Sequence, residues 1–316
     1  MAQPTNTHAT NDMAGIREQL ADVIYDVSPV ETPFLSMAKK GKAENTYVEW
    51  QVDALASASS TNFVIEGDDA TTDSSTATTR RGNYTCISDK VARTTGTAQS
   101  VNAAGRANEH DYQILKRAKE LKRDMETILL DNNARVAGND TTARETAGVP
   151  AWLFTNTVFG ASGSDATGDG TDARTNGTQR AFTEDQVKTV IQAIWTEGGH
   201  ADVAMVGGFN RQVASSFGGG ASKLQKAEDD RLHATFSFYE SDFGVLKWVP
   251  NRFMRARDCL ILDMDYWEVK FMKGRNMATE ELAKTGDSKQ TQILSEYALC
   301  ALNEKSSGMV ADLTTS

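Results

Sequence analysis

The groups in this 316-residue chain that invite chemistry are four histidines, three cysteines, a trio of aspartates and one glycine–lysine run. His8, His110, His200 and His233 stand far apart, and none shows the H-E-x-x-H spacing that places two metal ligands on one helical face. A histidine base needs a positioned partner, and there is no G-x-S-x-G elbow to present a nucleophile. Gly218-Gly219-Gly220-Ala221-Ser222-Lys223 has the composition of a phosphate cradle. It does not match G-x-x-x-x-G-K-S/T, however, and it follows a predicted helix, so it reads as a surface loop. Asp68, Asp69 and Asp73 carry the oxygen chemistry of a hard-cation site without the calcium-loop pattern. They read as a solvated acidic tip offered to basic residues of a neighbour. Cys86, Cys259 and Cys300 form no C-x-x-C pair, and each sits in an apolar or strand-like run, as a reduced, buried thiol would. The sequence therefore predicts no catalytic residue, no cofactor-binding residue and no metal site, and the chain reads as not an enzyme.

The elements around these residues point to assembly. Tyr47-Val48-Glu49-Trp50-Gln51-Val52-Asp53 alternates with period two, placing Val48, Trp50 and Val52 on one face. A less regular strand-like run follows at Tyr84 to Arg93. Between them, Ala54 to Gly82 is dominated by Ser, Thr and Asp. A two-stranded ribbon with such a tip has no core of its own and is marginal in water, so it needs a partner to lie on. Arg80 and Arg81, beside the return strand, are candidates for ion pairs with another subunit.

Upstream, residues 1–12 are polar, and Ile16, Leu20, Ile24 and Val27 fall at helical spacing. Pro29 and Pro33 then forbid a continuing helix. Phe34, Leu35 and Met37 are left as apolar anchors for docking elsewhere on the molecule or on another subunit. Downstream, Ile114, Ala118, Leu121, Met125 and Ile128, widened by Leu115 and Leu129, predict a helix over 108–136. Gly138-Asn139 is its expected stop. The basic run Lys116 to Arg123 reads as a solvated face, with non-specific counter-charge to nucleic acid as the alternative. Ala161 to Gly177 is glycine-rich and reads as a flexible surface excursion.

Thr183 with Glu184, Asp185 and Gln186 opens a second helix whose apolar face is Val187, Val190, Ile191 and Ile194. Val203 to Val206 predicts a buried strand, and Phe209 to Phe217 a helix. Thr235 to Glu240 and Val245 to Val249 predict a hairpin around Asp242-Phe243-Gly244. Cys259 to Leu262 and Trp267-Val269-Phe271 predict further strands. Gln292 to Leu302 suits a strand or a buried helix equally. Trp50, Trp152, Trp195, Trp248 and Trp267 lie in apolar runs and read as core.

Composition narrows the classes further. Lys and Arg total 33 against 43 Asp and Glu, a net charge of -10, which argues against a surface devoted to gripping nucleic acid while allowing one basic face. Residues 1–11 lack an apolar h-region, so no secretory signal is expected. No apolar run approaches the ~18 residues of a membrane helix, and no membrane partner is expected. A cytoplasm-like compartment follows.

In order, then, the chain offers an arm, a ribbon with a long tip, a long helix, a mixed α/β lobe and closing β segments. With Ser28-Pro29-Val30-Glu31-Thr32-Pro33-Phe34, Glu49-Trp50-Gln51-Val52-Asp53, Glu66-Gly67, Ser88 to Thr97, Glu120 to Leu130, Asp242-Phe243-Gly244, Val249-Pro250-Asn251-Arg252 and Leu262-Asp263-Met264-Asp265, it resembles tailed-phage major capsid proteins of the Hong Kong ninety-seven type. Within that fold it is most similar to the SU-ten-like major capsid family.

The resemblance implies an α+β fold with an N-terminal arm (1–44), an E-loop ribbon (45–95), a P-domain with a long spine helix (96–150), an A-domain (151–257) and a β-rich return to the P-domain (258–316). It implies a structural protein that self-assembles into pentamers and hexamers of an icosahedral head around double-stranded DNA, in a virion assembled in the host cytoplasm. A portal and a separate scaffold or decoration protein are further implied partners. With only about 12 polar residues ahead of the first amphipathic segment, a scaffold is expected to be separate or absent. Ala54 to Gly82 holds no lysine, so no lysine–asparagine crosslink from the loop tip is expected. The competing readings are an encapsulin-like shell around cargo enzymes and, from another class, a soluble α/β enzyme.

Overall fold

The computed structural model describes residues 31–70, 75–101, 108–217 and 238–316. The readings of residues 1–12, Ile16 to Val27, His8, His233, Asp73 and Gly218 to Lys223 lie outside the described residues. In chain order the elements are α1 (Pro33–Met37), β1 (Lys39–Ala43), β2 (Tyr47–Val52), β3 (Thr79–Tyr84), β4 (Cys86–Thr95), α2 (Gly96–Ser100), α3 (Glu109–Leu130), β5 (Thr157–Val158), α4 (Glu184–Thr196), β6 (Val203–Val206), α5 (Gly208–Ala214), β7 (Phe238–Ser241), β8 (Gly244–Pro250), β9 (Cys259–Leu262), β10 (Trp267–Met272), β11 (Ala278–Glu281), β12 (Ser288–Ala301) and β13 (Gly308–Val310). Among the described residues they form a five-stranded sheet (β1-β10-β12-β11, with β4 also on β12), a six-stranded sheet (β5-β13-β9-β6-β8-β7) and the two-stranded ribbon β2-β3.

β12 organises the first sheet. The ambiguous run Gln292 to Leu302 lies largely within this 14-residue strand. β12 pairs antiparallel with β4 over ten residues, from Ser288↔Thr95 to Tyr297↔Cys86. It also carries β10 and β11. Ser295 to Ala301 is buried without interruption, so no period-two signal survives to separate strand from helix. Partners distant in sequence decide the outcome.

α3 lies on one face of this sheet. Asn108 caps it by accepting from the His110 and Asp111 N–H groups, and Glu109 and Asp111 sit in the first turn, where the helix dipole favours them. Leu121, Met125, Leu129 and Leu130 are buried, and Asp124 reaches Lys90 of β4 at 2.6 Å. The helix ends at Leu130 rather than near 136, a length of about 33 Å at 1.5 Å per residue. Asp131-Asn132-Asn133 ends it by bonding elsewhere: Asn133 Nδ2 returns to the Ile128 carbonyl at 3.2 Å, and Asn132 Nδ2 donates to the Arg174 carbonyl at 2.8 Å. Short amides compete with helix in this way. Leu115, expected to widen the apolar stripe, is exposed instead.

The arm is anchored on its own chain. Pro33 occupies the first turn of α1, where its missing N–H costs nothing. Glu126 of α3 then accepts from the Phe34 and Leu35 N–H groups at 2.8 Å each and from Asn251 Nδ2 at 2.7 Å. Phe34 is fully buried, edge-on to Trp267 at 6.3 Å.

The ribbon differs from the sequence reading in its return strand. β2 pairs with β3, from Tyr47↔Tyr84 to Val52↔Thr79, so of the run Tyr84 to Arg93 it meets Tyr84 alone. The chain turns at buried Thr85, and β4 joins the five-stranded sheet. The weak alternation of 84–93 is explained by that change of sheet within one apolar run. The second helix and the 203–206 strand match expectation as α4 and β6, and the hairpin read from Thr235 to Val249 forms β7–β8 over its described residues, 238–249. Thr183 opens α4, with a capping box to Gln186 that the sequence reading does not name. Trp195 is the exception among the tryptophans. It is 59% exposed and stacks on Phe243 at 5.2 Å, on the solvent side of α4.

Burial is the largest influence on Glu126 and pushes its pKa up, opposed by the Leu35 and Phe34 N–H groups and the Asn251 amide. A folded pKa above the unfolded value of about 4.3 means that folding takes up a proton between the two values. This group's stability contribution is then full below the unfolded pKa and is lost as pH rises through the folded one. Urea denaturation of the unassembled subunit followed by tryptophan fluorescence should show that component disappear in Glu126→Gln. Glu126→Ala, which strands three donors, should lower stability by about 3 kcal/mol. An Ala variant as stable as the parent would show that the contact is dispensable.

Candidate assembly surfaces

The ribbon is rooted firmly and ends freely. At its root Val48 and Trp50 are buried, Trp50 packing on Trp152 at 5.2 Å. Asn83 of β3 is fully buried and donates to the Leu299 carbonyl at 2.8 Å and Thr146 Oγ1 at 2.9 Å. It also accepts from the Ala147 N–H at 3.0 Å. Arg135 lies over the Tyr47 ring and donates to the Tyr47 hydroxyl at 2.9 Å and to the Gly82 carbonyl. The root therefore does have a core, supplied by the body of its own chain.

Beyond Val52 every described residue through Arg80 is exposed. Asp68 and Asp69 are there, as expected of an acidic tip. So is an apolar run that the compositional reading passed over: Phe63 is 88% and Ile65 78% exposed, with Val64 between them. Three consecutive large apolar residues amid Ser, Thr and Asp were the available signal, since exposed clusters of that kind mark contact sites.

Of the two arginines offered to neighbours, Arg80 is already engaged within the ribbon, 2.5 Å from Glu49. Arg81 lines a groove of about 530 Å³ between the ribbon root, Trp152, Phe154 and Lys305.

The stretch 161–177 is no simple surface excursion. It closes around Asp312, whose side chain is completely buried. Asp312 accepts from the Gly160 and Gly177 N–H groups at 3.1 and 2.9 Å, from Arg174 at 3.3 Å and from Arg257 at 2.8 Å. Burial alone would raise this carboxyl's pKa; the Gly160 N–H, Arg174 and the Gly177 N–H outweigh it and hold the pKa below the usual carboxylate range. Gly160 is required by close approach: a Cβ there would sit 2.0 Å from the Thr178 carbonyl. Buried Asp258 lies 2.9 Å from Arg255 and 3.8 Å from Arg174. The low-complexity composition is thus the composition of a tight wrap around buried charge.

Among the described residues the candidate chemical groups are not brought together. His110 is buried between Thr94 at 2.9 Å and Thr291 at 2.8 Å, joining α3 to the sheet, and His200 lies against Gly244. Among the described residues no three His, Cys, Asp or Glu side chains are grouped to hold a metal ion. No helix there is long and apolar enough to cross a membrane. All three cysteines are free and buried. On α3, Lys116, Lys119 and Lys122 are exposed, while Arg117 is offset by Glu120 at 2.5 Å.

Comparison with known proteins follows the same lines. The model of the SU10 major capsid protein family matches residues 3–314. The chain is 28% identical to the major capsid protein of Escherichia phage Phieco32, across 98% of this chain and 97% of that one. Among solved structures it is similar to a chain of the cyanophage A-1(L) capsid asymmetric unit, with a TM-score of 0.65, 13% identity and coverage of 98% and 99%. It is also similar to the SrpI encapsulin of Synechococcus elongatus, with a TM-score of 0.54, 8% identity and coverage of 93% and 94%. The α+β architecture is the capsid fold of the Hong Kong ninety-seven type.

The Asp312 cluster yields a direct test. Asp312→Ala leaves the fully buried Arg174 without its nearest hydrogen-bonded carboxylate, and should cost about 3–5 kcal/mol. Limited proteolysis should then cut first within 161–177. Unchanged stability and an unchanged digestion pattern would mean that the loop is held by other contacts.

Proposed function

Because this chain belongs to the SU10 major capsid protein family and is a phage major capsid protein, we propose that it closes its icosahedral shell from pentamers and hexamers around double-stranded DNA. The observation that carries the reading is the ribbon: a root locked into the body by Asn83, Arg135 and Trp50, and a tip from 53 to 80 that is exposed throughout its described residues. A shell of quasi-equivalent positions needs one rigid body with extensions that adapt. Ordering such an extension costs conformational entropy, which burial against a neighbour offsets.

We assign residues 1–44 to the arm and 96–150 to a P-domain with α3 as its spine. The A-domain is 151–257 and the return to the P-domain 258–316. The E-loop is assigned to 45–95, with its free ribbon confined to the β2–β3 portion. Assembly takes place in the host cytoplasm, with a portal and a separate scaffold or decoration protein as partners. The exposed lysines of α3 are available as non-specific counter-charge to DNA. The chain carries out no catalysis; its work is mechanical. An encapsulin-like compartment shares the fold, and the family match across nearly the whole chain favours the phage head.

Electron microscopy and sedimentation of the expressed chain should show closed shells tens of nanometres across, alone or with neighbouring phage genes co-expressed. Deleting residues 56–76 should leave a folded subunit by circular dichroism and reduce shells at least tenfold. Persistent small oligomers under both expression conditions would overturn the reading.

A further inference from the structure

The exposed tip has a matching receptor on the same chain. Lys40 and Lys42 of β1 stand opposite Val269 and Phe271 across the β1–β10 ladder, so they share the sheet face on which α3 lies. There Leu35, Lys40, Lys122, Met125, Phe271, Asn276 and Met277 line an open groove of about 210 Å³. An apolar space of about 150 Å³ is enough for a benzene-sized group. Lys40, Lys42 and Lys122 are exposed and have no ion pair among the described residues. That is an uncompensated positive rim on a chain of net charge -10.

The tip offers the complement. Phe63, Val64 and Ile65 run into a turn closed by the Asp68 N–H on the Ile65 carbonyl at 3.1 Å, with Gly67 at a φ of 85°. Glu66, Asp68 and Asp69 thus follow the apolar side chains directly, and none has a basic partner among the described residues. Fully extended, the eleven residue steps from Val52 to Phe63 span about 36 Å, enough to leave the parent subunit.

Resting on the capsid reading above, we propose that Phe63 of one copy fills the Leu35–Phe271–Met277 groove of a neighbouring copy, with Glu66, Asp68 and Asp69 facing Lys40, Lys42 and Lys122. The rival surface on this chain is the sheet's other face, where Ile87 is 49% and Val91 40% exposed. Charge disfavours it. Asp89, of the tip's own sign, lies on that face beside Arg93, so the two offset one another and no rim like that of the three lysines is presented. Nucleic acid would use the lysines but leave the apolar groove empty.

The test is disulfide trapping in assembled shells. The native thiols do not compete, because burial pushes Cys86 up to about 11 and Cys300 up to about 12, and raises Cys259 further. Shells carrying Phe63→Cys with Asn276→Cys should give a ladder of covalent multimers on oxidation, absent from either single variant. A ladder from Phe63→Cys with Val91→Cys instead places the tip on the rival face and overturns the proposal. As a second measure, Lys40→Glu with Lys122→Glu should reduce shell yield at least tenfold, and Glu66→Lys with Asp68→Lys in the same chain should restore it. Failure of restoration by folded subunits counts against the site. Shells from the unsubstituted chain without the trapped ladder defeat this inference alone. No shells from the unsubstituted chain, with or without neighbouring phage genes, defeat the capsid reading and this inference with it.

Discussion

A carboxylate buried without a counter-charge holds the parts of this protein together. Glu126 is fully enclosed, and among the described residues it is met by neutral donors alone: two backbone N–H groups of α1 and the amide of Asn251. Acceptor and donors come from three distant parts of the chain. α1 leads into the five-stranded sheet through β1, Glu126 belongs to the helix that covers that sheet, and Asn251 follows the last residue of β8 in the six-stranded one. A neutral donor is a weaker partner than a guanidinium, but its direction is fixed by the backbone or by a packed amide. The site therefore specifies geometry more than it supplies energy. The apolar cluster around it runs from Phe34 and Leu121 through Met205 and Leu260 to Trp267 and Met309, drawing on both sheets. This cluster joins the two sheets, while a second, from Val187 and Ile194 through Ala204 and Trp248 to Ile261 and Leu313, packs separately on the six-stranded sheet.

Against that body the ribbon works as a lever. Its root is held by side chains with little freedom, Asn83 and Trp50 among them, and its far end is exposed throughout the described residues. Rigidity at one end and liberty at the other are what a repeated shell contact needs, because small differences between symmetry-related sites are absorbed beyond Val52 without disturbing the core.

Legibility in the sequence followed the range of the interactions. α3, α4, β6 and the β7–β8 hairpin were readable because their signals are local: a cap such as Asn108 or Thr183, a periodic stripe, a turn at Asp242-Phe243-Gly244. The family resemblance came from the order of such local pieces and held along the chain. Legibility failed where partners are remote. The run from Gln292 to Leu302 could not be told from a helix because both faces of β12 are buried from Ser295 to Ala301. The change of sheet at Thr85 depends on a strand some 200 residues away. The wrap of 161–177 looked like a flexible loop because its organising group, Asp312, lies far downstream. Phe63 to Ile65 was legible but was averaged away by the polar residues around it, and the arm's anchors found their burial through Glu126 and Trp267, neither of which is close in sequence.

The long pairing of β12 with β4 has a consequence for how the protein is made. The residues that root the ribbon emerge early in synthesis, yet the carbonyl that fixes Asn83 belongs to Leu299. Contacts of such separation close slowly and late. A nascent or truncated chain lacking its final segment has no completed platform from which to project the ribbon. The ribbon's root is thus complete only once the chain has been made as far as Leu299, more than 200 residues after the strand that it fixes.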